Sequence, residues 1–136
     1  MPTFLDTNIF LYAAGSDHGE KGACVQILRR VAEGTLEATT NTEVIQEILY
    51  VLIRRGRRQQ AMALARQVLI LCPKLLPVTG ADMTEAFRLL GKHHGLAVRD
   101  AIHAATMIRN GLATVISADS HFDQIPEIRR LAPSAA

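Results

Sequence analysis

The sequence predicts an α/β fold, a three-layer α/β/α sandwich around a short, mostly parallel sheet. Short apolar runs that begin at residues 3 and 113 are typical of buried strands, and much of the remaining chain has the apolar spacing of amphipathic helices. Strands and helices alternate from the start, as they do in parallel sheets covered on both faces. With 136 residues, the chain can build one hydrophobic core, so we expect a single domain over residues 1–136.

The first third of the chain is predicted to hold two strands and two helices. Residues 3–5 are expected to form a buried strand, and residues 8–14 a short helix that ends at Gly15. An amphipathic helix over residues 19–33 follows, and residues 36–40 form a second short strand. These elements form one strand-helix-helix-strand unit.

The middle of the chain is predicted to form a helical hairpin. Residues 41–55 carry a broad apolar stripe with a period near 3.6, and Gly56 separates them from another amphipathic segment over residues 57–71. Beyond the hairpin, residues 75–78 are a strand candidate, with Pro73 shortly before the segment and Pro77 near its end. The pattern therefore adds two helices and a further strand to the predicted fold.

The last third is predicted to add two helices and two strands. Thr79 or Asp82 can cap the next helix, and residues 99–110 form an alanine-rich helix. Residues 113–117 give the clearest strand pattern in the chain, and residues 127–131 are a possible edge strand. No internal repeat or interdomain linker interrupts this order.

Composition indicates a packed globular protein. Hydrophobic residues make up 49% and charged residues 21%, which excludes a disordered chain. The formal net charge is only +2, yet arginines cluster at Arg29 and Arg30, at residues 54–58, and at Arg129 and Arg130. These clusters are either solvated helix ends or contacts for a polyanion such as RNA.

The two cysteines and the lack of long apolar runs bear on where in the cell the protein is found. Cys24 and Cys72 lie among apolar helical residues without a zinc-type spacing, so we expect buried thiols in a reducing environment. No apolar run reaches the roughly 20 residues that span a bilayer, and the N-terminus lacks a secretion pattern. We therefore expect a cytoplasmic protein.

Acidic and polar side chains follow the two strongest strand patterns. Asp6, Thr7 and Asn8 come directly after the first strand, and Asp119 comes shortly after the strand at residues 113–117. Because the carboxyl ends of parallel strands share one edge of a sheet, Asp6 and Asp119 are expected to face the same crevice. This edge is a candidate metal site.

Two helices supply further carboxylates to the same region. Glu47 lies at the boundary of the apolar stripe of its helix, whereas Glu43 points further towards solvent. Asp100 falls on the small-residue face of its helix, where an ionised carboxylate needs compensation. A snorkelling Glu47 and an Asp100 that binds free amides in its first helical turn are the structural alternatives.

Four converging carboxylates would require a cation. Two carboxylates about 4 Å apart repel by about 4 kcal/mol at an effective dielectric near 20. The group must therefore take up protons, spread apart or bind a cation, and oxygen ligands favour Mg²⁺ or Mn²⁺.

Together these motifs resemble those of PIN-domain ribonucleases, and the length and helical hairpin are similar to those of VapC toxins. The resemblance extends from Phe4 to about Leu131. It is carried by the strand that leads into Asp6-Thr7-Asn8, by Glu47 within residues 44–49, by Asp100 within residues 99–105, and by residues 117–123, which contain Asp119.

The resemblance implies Mg²⁺-dependent or Mn²⁺-dependent endonucleolytic cleavage of RNA. It implies that the acidic metal-binding and catalytic residues are Asp6, Glu47, Asp100 and Asp119. Asn8 and Ser117 would be polar supports, and Asp123 an auxiliary acid. Glu43 is the alternative to Glu47 if the helix is rotated. The resemblance also implies a homodimer and inhibition by a small antitoxin protein.

Other functions remain open at this point. A PIN-like nuclease of RNA maturation or quality control would have the same acids, and a catalytically silent RNA-binding module is a further alternative. A phosphatase with an aspartyl phosphate would normally have a second Asp where Asn8 stands. His103 and His121 lie close enough to Asp100 and Asp119 in sequence to contact phosphate or shuttle a proton.

Overall fold

The computed structural model describes residues 1–15 and 19–136, which form four strands, six α-helices and two short 3₁₀ helices. The strands are Thr3–Leu5 (β1), Ala38–Thr39 (β2), Thr114–Ile116 (β3) and Arg129–Leu131 (β4). The helices are Thr7–Ala14 (α1), Lys21–Ala32 (α2), Thr42–Arg54 (α3), Arg58–Leu71 (α4), Gly80–Lys92 (α5) and Val98–Arg109 (α6), and the 3₁₀ helices are Ser120–Gln124 and Pro133–Ala135. Apart from the strand at residues 75–78, the predicted strands and α-helices are present in the predicted order, with boundaries that shift by one or two residues.

All four strands are parallel, in the order β2-β1-β3-β4. The first strand is central, since Phe4 pairs with Thr39 on one side and with Val115 on the other. Helices pack on both faces of this sheet, so the fold is the predicted three-layer α/β/α sandwich. The parallel register brings the carboxyl ends of β1 and β3 to one edge.

The core lies around β1 and β3. Phe4, Leu5 and Val115 have no exposed surface, and Ile9 and Phe10 of α1 are equally buried. Strands this short are stable only when both faces are covered, which explains why they contain continuous apolar residues instead of an alternating pattern.

Local capping determines where the helices begin. The Asn41 side chain accepts a hydrogen bond from the Val44 backbone N–H at 3.1 Å and thereby starts α3. Thr79 and Asp82 form a reciprocal capping box at α5, so both predicted cap residues take part. Gly56 has a φ of 76°, a left-handed conformation that ends α3 and allows the turn into α4.

The predicted strand at residues 75–78 is wrong. Leu76 forms a single parallel bridge with Asn41, through hydrogen bonds to Thr40 and Thr42 of 2.9 and 3.0 Å. The ladder stops here because Thr42 begins α3, and the next N–H that faces it, that of Val78, donates to the side-chain hydroxyl oxygen of Thr42 at 3.1 Å instead of to a backbone carbonyl. The segment therefore crosses the sheet edge without joining the sheet.

Two further expectations concern the thiols and the membrane. Cys24 and Cys72 are buried free cysteines, and burial raises the pKa of each thiol to about 11. Among the described residues, the helices are all too short or too polar to cross a bilayer.

Candidate active site

The site begins where β1 and β3 end. Asp6 is the N-cap of α1, and its Oδ1 accepts a hydrogen bond from the Thr7 backbone N–H at 2.7 Å. Ser117 directly follows β3, and its hydroxyl donates to Asp6 Oδ2 at 2.6 Å. Both residues are buried, at 4% and 0% exposure. The expected meeting of polar residues from the two strand ends is therefore present.

The Asn8 side chain links the two strand ends through hydrogen bonds. Its Nδ2 donates to Asp6 Oδ2 at 3.2 Å and to Ser117 Oγ at 3.3 Å, while its Oδ1 accepts from the Ala118 backbone N–H at 3.3 Å. The Asp119 backbone N–H donates to Ser117 Oγ at 2.9 Å. This network holds the loop that carries Asp119 against the loop that carries Asp6.

Helix α3 brings Glu47 to the same edge. The Thr7 hydroxyl donates to Glu47 Oε1 at 2.7 Å, and Arg99 Nη1 lies 3.8 Å from Oε2. Burial raises the pKa of Glu47, but the His103, Thr7 and Arg99 contacts outweigh burial and lower it. Glu47 is thus held ionised at the site. Glu43 lies one turn earlier, with its Oε1 3.7 Å from Arg99 Nε, so the helix rotation favours Glu47.

His103 lies between two of the carboxylates. Its side chain is fully buried, with Nε2 at 3.6 Å from Asp6 Oδ1 and 3.5 Å from Glu47 Oε1. Its ring centroid is 5.5 Å from that of Phe4 in the core. Burial lowers the pKa of His103, but the neighbouring carboxylates outweigh this effect and raise it. Neither ring nitrogen has a hydrogen-bond partner.

The remaining acids come from α6 and the loop after β3. Asp100 is in the first turn of α6, and only 8% of it is exposed. His121 Nδ1 lies 3.1 Å from Asp119 Oδ1 and 3.7 Å from Asp100 Oδ2. Burial, followed by the charges of Asp6 and Asp119, raises the pKa of Asp100 to about 7. Burial also raises the pKa of Asp6, despite its hydrogen bonds.

One predicted residue lies outside this network. Asp123 accepts two hydrogen bonds from Arg130, at 2.8 and 3.1 Å, and its described contacts do not reach the other acids. The same guanidinium donates to the Ser117 carbonyl at 3.0 Å. Asp123 therefore anchors β4 to the loop after β3. The structure brings together the other six predicted residues: Asp6, Asn8, Glu47, Asp100, Ser117 and Asp119.

The donor chemistry fits a divalent cation. One ligand atom each from Asp100, Asp119 and His121 lies within 4.8 Å of the others. The raised pKa values of Asp6 and Asp100 show that the anionic charge there is under-compensated, although His103 and Arg99 are close to the group. Oxygen-rich ligand sets of this kind suit Mg²⁺ or Mn²⁺. The residues that could hold the ion are therefore Asp6, Asp100, Asp119 and His121. Glu47 lies next to this group, in contact with Thr7 and His103.

Comparison with known proteins identifies the family of this chain. The model of the PIN domain family matches residues 3–128. Ribonuclease VapC7 of Mycobacterium tuberculosis is 32% identical over 133 residues, which cover 97% of this chain and 92% of that protein. The chain therefore belongs to the PIN-domain family, among its VapC-type members.

Solved structures show the same fold. VapBC2 from Rickettsia felis, solved bound to a promoter DNA fragment, gives a TM-score of 0.76 at 16% identity and covers 97% of this chain and 98% of that chain. Mycobacterium tuberculosis VapC20, described as a sarcin-ricin loop cleaving toxin, gives 0.73 at 21% identity, with coverages of 93% and 98%. At these identities the similarity concerns the fold.

Proposed function

We propose that this protein is a Mg²⁺-dependent or Mn²⁺-dependent RNA endonuclease that acts as the toxin of a toxin-antitoxin pair. The observation that carries the proposal is the meeting of Asp6, Glu47, Asp100 and Asp119 at the carboxyl edge of β1 and β3. The relative named as a ribonuclease, VapC7, supports the reaction class, because this chain covers nearly all of that protein.

The chain's own residues supply binding, orientation and charge. A divalent ion held by Asp6, Asp100 and Asp119 would act as a Lewis acid towards the scissile phosphate and lower the pKa of a water. Ser117 and Asn8 orient the Asp6 carboxylate through hydrogen bonds, so the carboxylate does not have to reorganise when it binds a cation. Burial and the neighbouring acids raise the pKa of Asp100 to about 7, so a bound cation would favour the loss of its proton.

Glu47 has a different environment from the other acids. Thr7, His103 and Arg99 surround it and keep it charged. Glu47 is therefore suited to hold a water by accepting a hydrogen bond, or to complete the ligand set of the ion. Arg99 has a side chain that is 36% exposed, so it can also contact a phosphate of the substrate at the rim of the site.

Substrate, partner and location follow from the same proposal. RNA is the proposed substrate, and the basic residues 54–58 and Arg129 offer further backbone contacts. A protein antitoxin is the proposed inhibitor, since the similar structures include toxin-antitoxin complexes. We further propose a homodimer in the cytoplasm, the compartment in which free thiols persist and RNA is available.

The reaction is tested by cleavage of total RNA with the purified chain. We expect cleavage with Mg²⁺ or Mn²⁺, loss of cleavage with a chelator, and at least a roughly hundredfold loss in Asp6→Asn or Asp100→Asn, since each removes an anionic ligand. Glu37→Gln, an exposed change before β2, is the matched control and should cleave normally. Normal cleavage by Asp6→Asn would contradict the site.

The toxin role is tested separately. Induced expression should arrest growth, and Asp6→Asn should relieve the arrest while the variant accumulates to the same level. Co-expression of the protein encoded beside this gene should also relieve it. If the wild-type enzyme cleaves RNA but its expression is harmless, the activity stands and the toxin role does not.

A further inference from the structure

His121 occupies a position at the site that the resemblance to PIN nucleases does not assign. It lies in the first turn of the 3₁₀ helix that follows Asp119, and its backbone N–H donates to Asp119 Oδ1 at 2.9 Å. This hydrogen bond fixes the direction in which the side chain leaves the chain. The imidazole consequently points its Nδ1 towards Asp119 and Asp100.

The spacing of the three ligand atoms suits one ion. In an octahedral site with bonds of about 2.1 Å, neighbouring donor atoms are separated by about 3 Å. Nδ1 of His121 lies 3.1 Å from an Asp119 oxygen and 3.7 Å from an Asp100 oxygen. One ligand atom from each of the three residues lies within 4.8 Å of the other two. Small side-chain rotations would therefore complete a shared site.

A second observation points to a bound cation at this place. His103 is fully buried with its Nε2 directed at Asp6 and Glu47, and neither of its ring nitrogens has a hydrogen-bond partner. This histidine faces the acidic cluster beside Asp6 and Glu47, and its charge also acts on Asp100. On the Asp119 side, the Arg130 guanidinium is already held by Asp123 and by the Ser117 carbonyl.

An ion pair between protonated His121 and the two acids is the competing explanation. The His121 side chain is 55% exposed, and ion pairs at such exposure contribute at most about 1 kcal/mol. An ion pair this weak gives little compensation to two neighbouring acids, whereas a cation shared with the imidazole would neutralise them.

We propose that His121 is a nitrogen ligand of the catalytic metal ion, alongside Asp100 and Asp119. The inference rests on the proposed function, because it concerns the same site. Imidazole is a ligand for transition-metal ions and a poor one for Mg²⁺. Loss of the imidazole is therefore expected to weaken the binding of Mn²⁺ more than the binding of Mg²⁺.

The test uses Mn²⁺ as a spectroscopic probe on the purified full chain. Electron spin echo modulation should show ¹⁴N coupling in the wild type, and this coupling should disappear in both His121→Ala and His121→Gln. His94→Ala, which changes an exposed histidine beyond the end of α5, is the matched control and should retain it. Mn²⁺ affinity should fall at least about tenfold in the His121 variants, because even changes to residues that only support the ligands of a metal site typically cost this much.

The outcomes separate this inference from the proposed function. If Mn²⁺ binds without ¹⁴N coupling, or if the coupling persists in both variants, His121 is not a ligand and the nuclease proposal stands. If the wild type binds no Mn²⁺, both proposals are overturned. A second measurement uses the wild-type chain labelled with ¹⁵N-histidine, so that it does not depend on whether a variant folds. The electron spin echo modulation of bound Mn²⁺ should then show ¹⁵N coupling in place of ¹⁴N coupling, and an unchanged spectrum would overturn the inference.

Discussion

Replacing Asp100 with Asn should stabilise the metal-free protein although it abolishes the proposed activity. The carboxyl group is buried beside Asp6 and Asp119, which raises its pKa from 3.8 to about 7. In the folded state it therefore holds a proton that the unfolded chain releases at lower pH. Stability from this group is present below about pH 4 and is lost as the pH rises through about 7.

The size of the effect follows from the change in pKa. An increase from 3.8 to about 7 corresponds to roughly 4 kcal/mol for a group without solvent contact. Because water reaches the open side of the site, we expect about 2 kcal/mol. At this chain length each kcal/mol moves the melting temperature by about 3 °C, so Asp100→Asn should melt about 6 °C above the wild type at pH about 8.

The assay is thermal and urea unfolding in a chelator, at pH about 4.5 and about 8. The advantage of the variant should be small at the lower pH and should grow as the pH rises, since an amide does not titrate. Saturating Mn²⁺ should reverse the order, because ligand at a hundredfold excess over its Kd stabilises by about 2.7 kcal/mol.

Glu37→Gln is the matched control for the unfolding measurements. Glu37→Gln changes the charge of an exposed side chain and should alter stability by less than about 0.5 kcal/mol at either pH. If Asp100→Asn is no more stable than the wild type at pH about 8 without metal, the described electrostatics are wrong. The same holds if its advantage does not depend on pH.

Three further changes probe the supports of the site. Ser117→Ala removes the buried hydroxyl bound to Asp6 and should cost about 1–3 kcal/mol in urea unfolding; an unchanged midpoint would contradict the network. Asn41→Ala removes the cap of α3 and should cost about 2 kcal/mol by the same assay; Asn41→Asp should not restore stability, because it loses the donor to Thr106 and buries a carboxylate. Arg99→Ala should raise the pKa of Glu47 in an NMR titration, because a neighbouring cation is lost.

Most of the fold could be predicted because its signals are local. Buried strands of continuous apolar residues and helices with a period near 3.6 leave direct traces in the sequence. The strand at residues 75–78 could not be judged in this way, since a short apolar run has strand composition. Whether it joins a ladder depends on the segment beside it, and that segment turns into α3 at Thr42, whose side chain accepts the Val78 N–H.

The acids of the site could be predicted where the element type determined their direction. Asp6 follows a strand, and Asp100 lies on a helix face that had to pack inward. The pairing of Asp123 with Arg130 could not be predicted, because the segment after Asp119 is a 3₁₀ helix and not an α-helix. It also depends on β4, whose place beside β3 is a property of the sheet order.

The position of His103 between two carboxylates left only a weak trace in the sequence. A histidine on a small, apolar helix face has the pattern of an ordinary core residue. Its spacing one turn after Asp100 was the available signal, but Asp6 and Glu47, the carboxylates it contacts, are 97 and 56 positions away in the chain. Such tertiary contacts become visible only when the sheet order is known.

The pairing of β1 with β3 joins segments that are far apart in the sequence, as Phe4 lies beside Val115. During synthesis, Asp6 therefore leaves the ribosome well before Ser117, which lies 111 positions later. Closing so long a loop is a late step in folding. A nascent or prematurely terminated chain therefore has no assembled catalytic centre, so translation of such a nuclease can finish before the product becomes able to attack RNA.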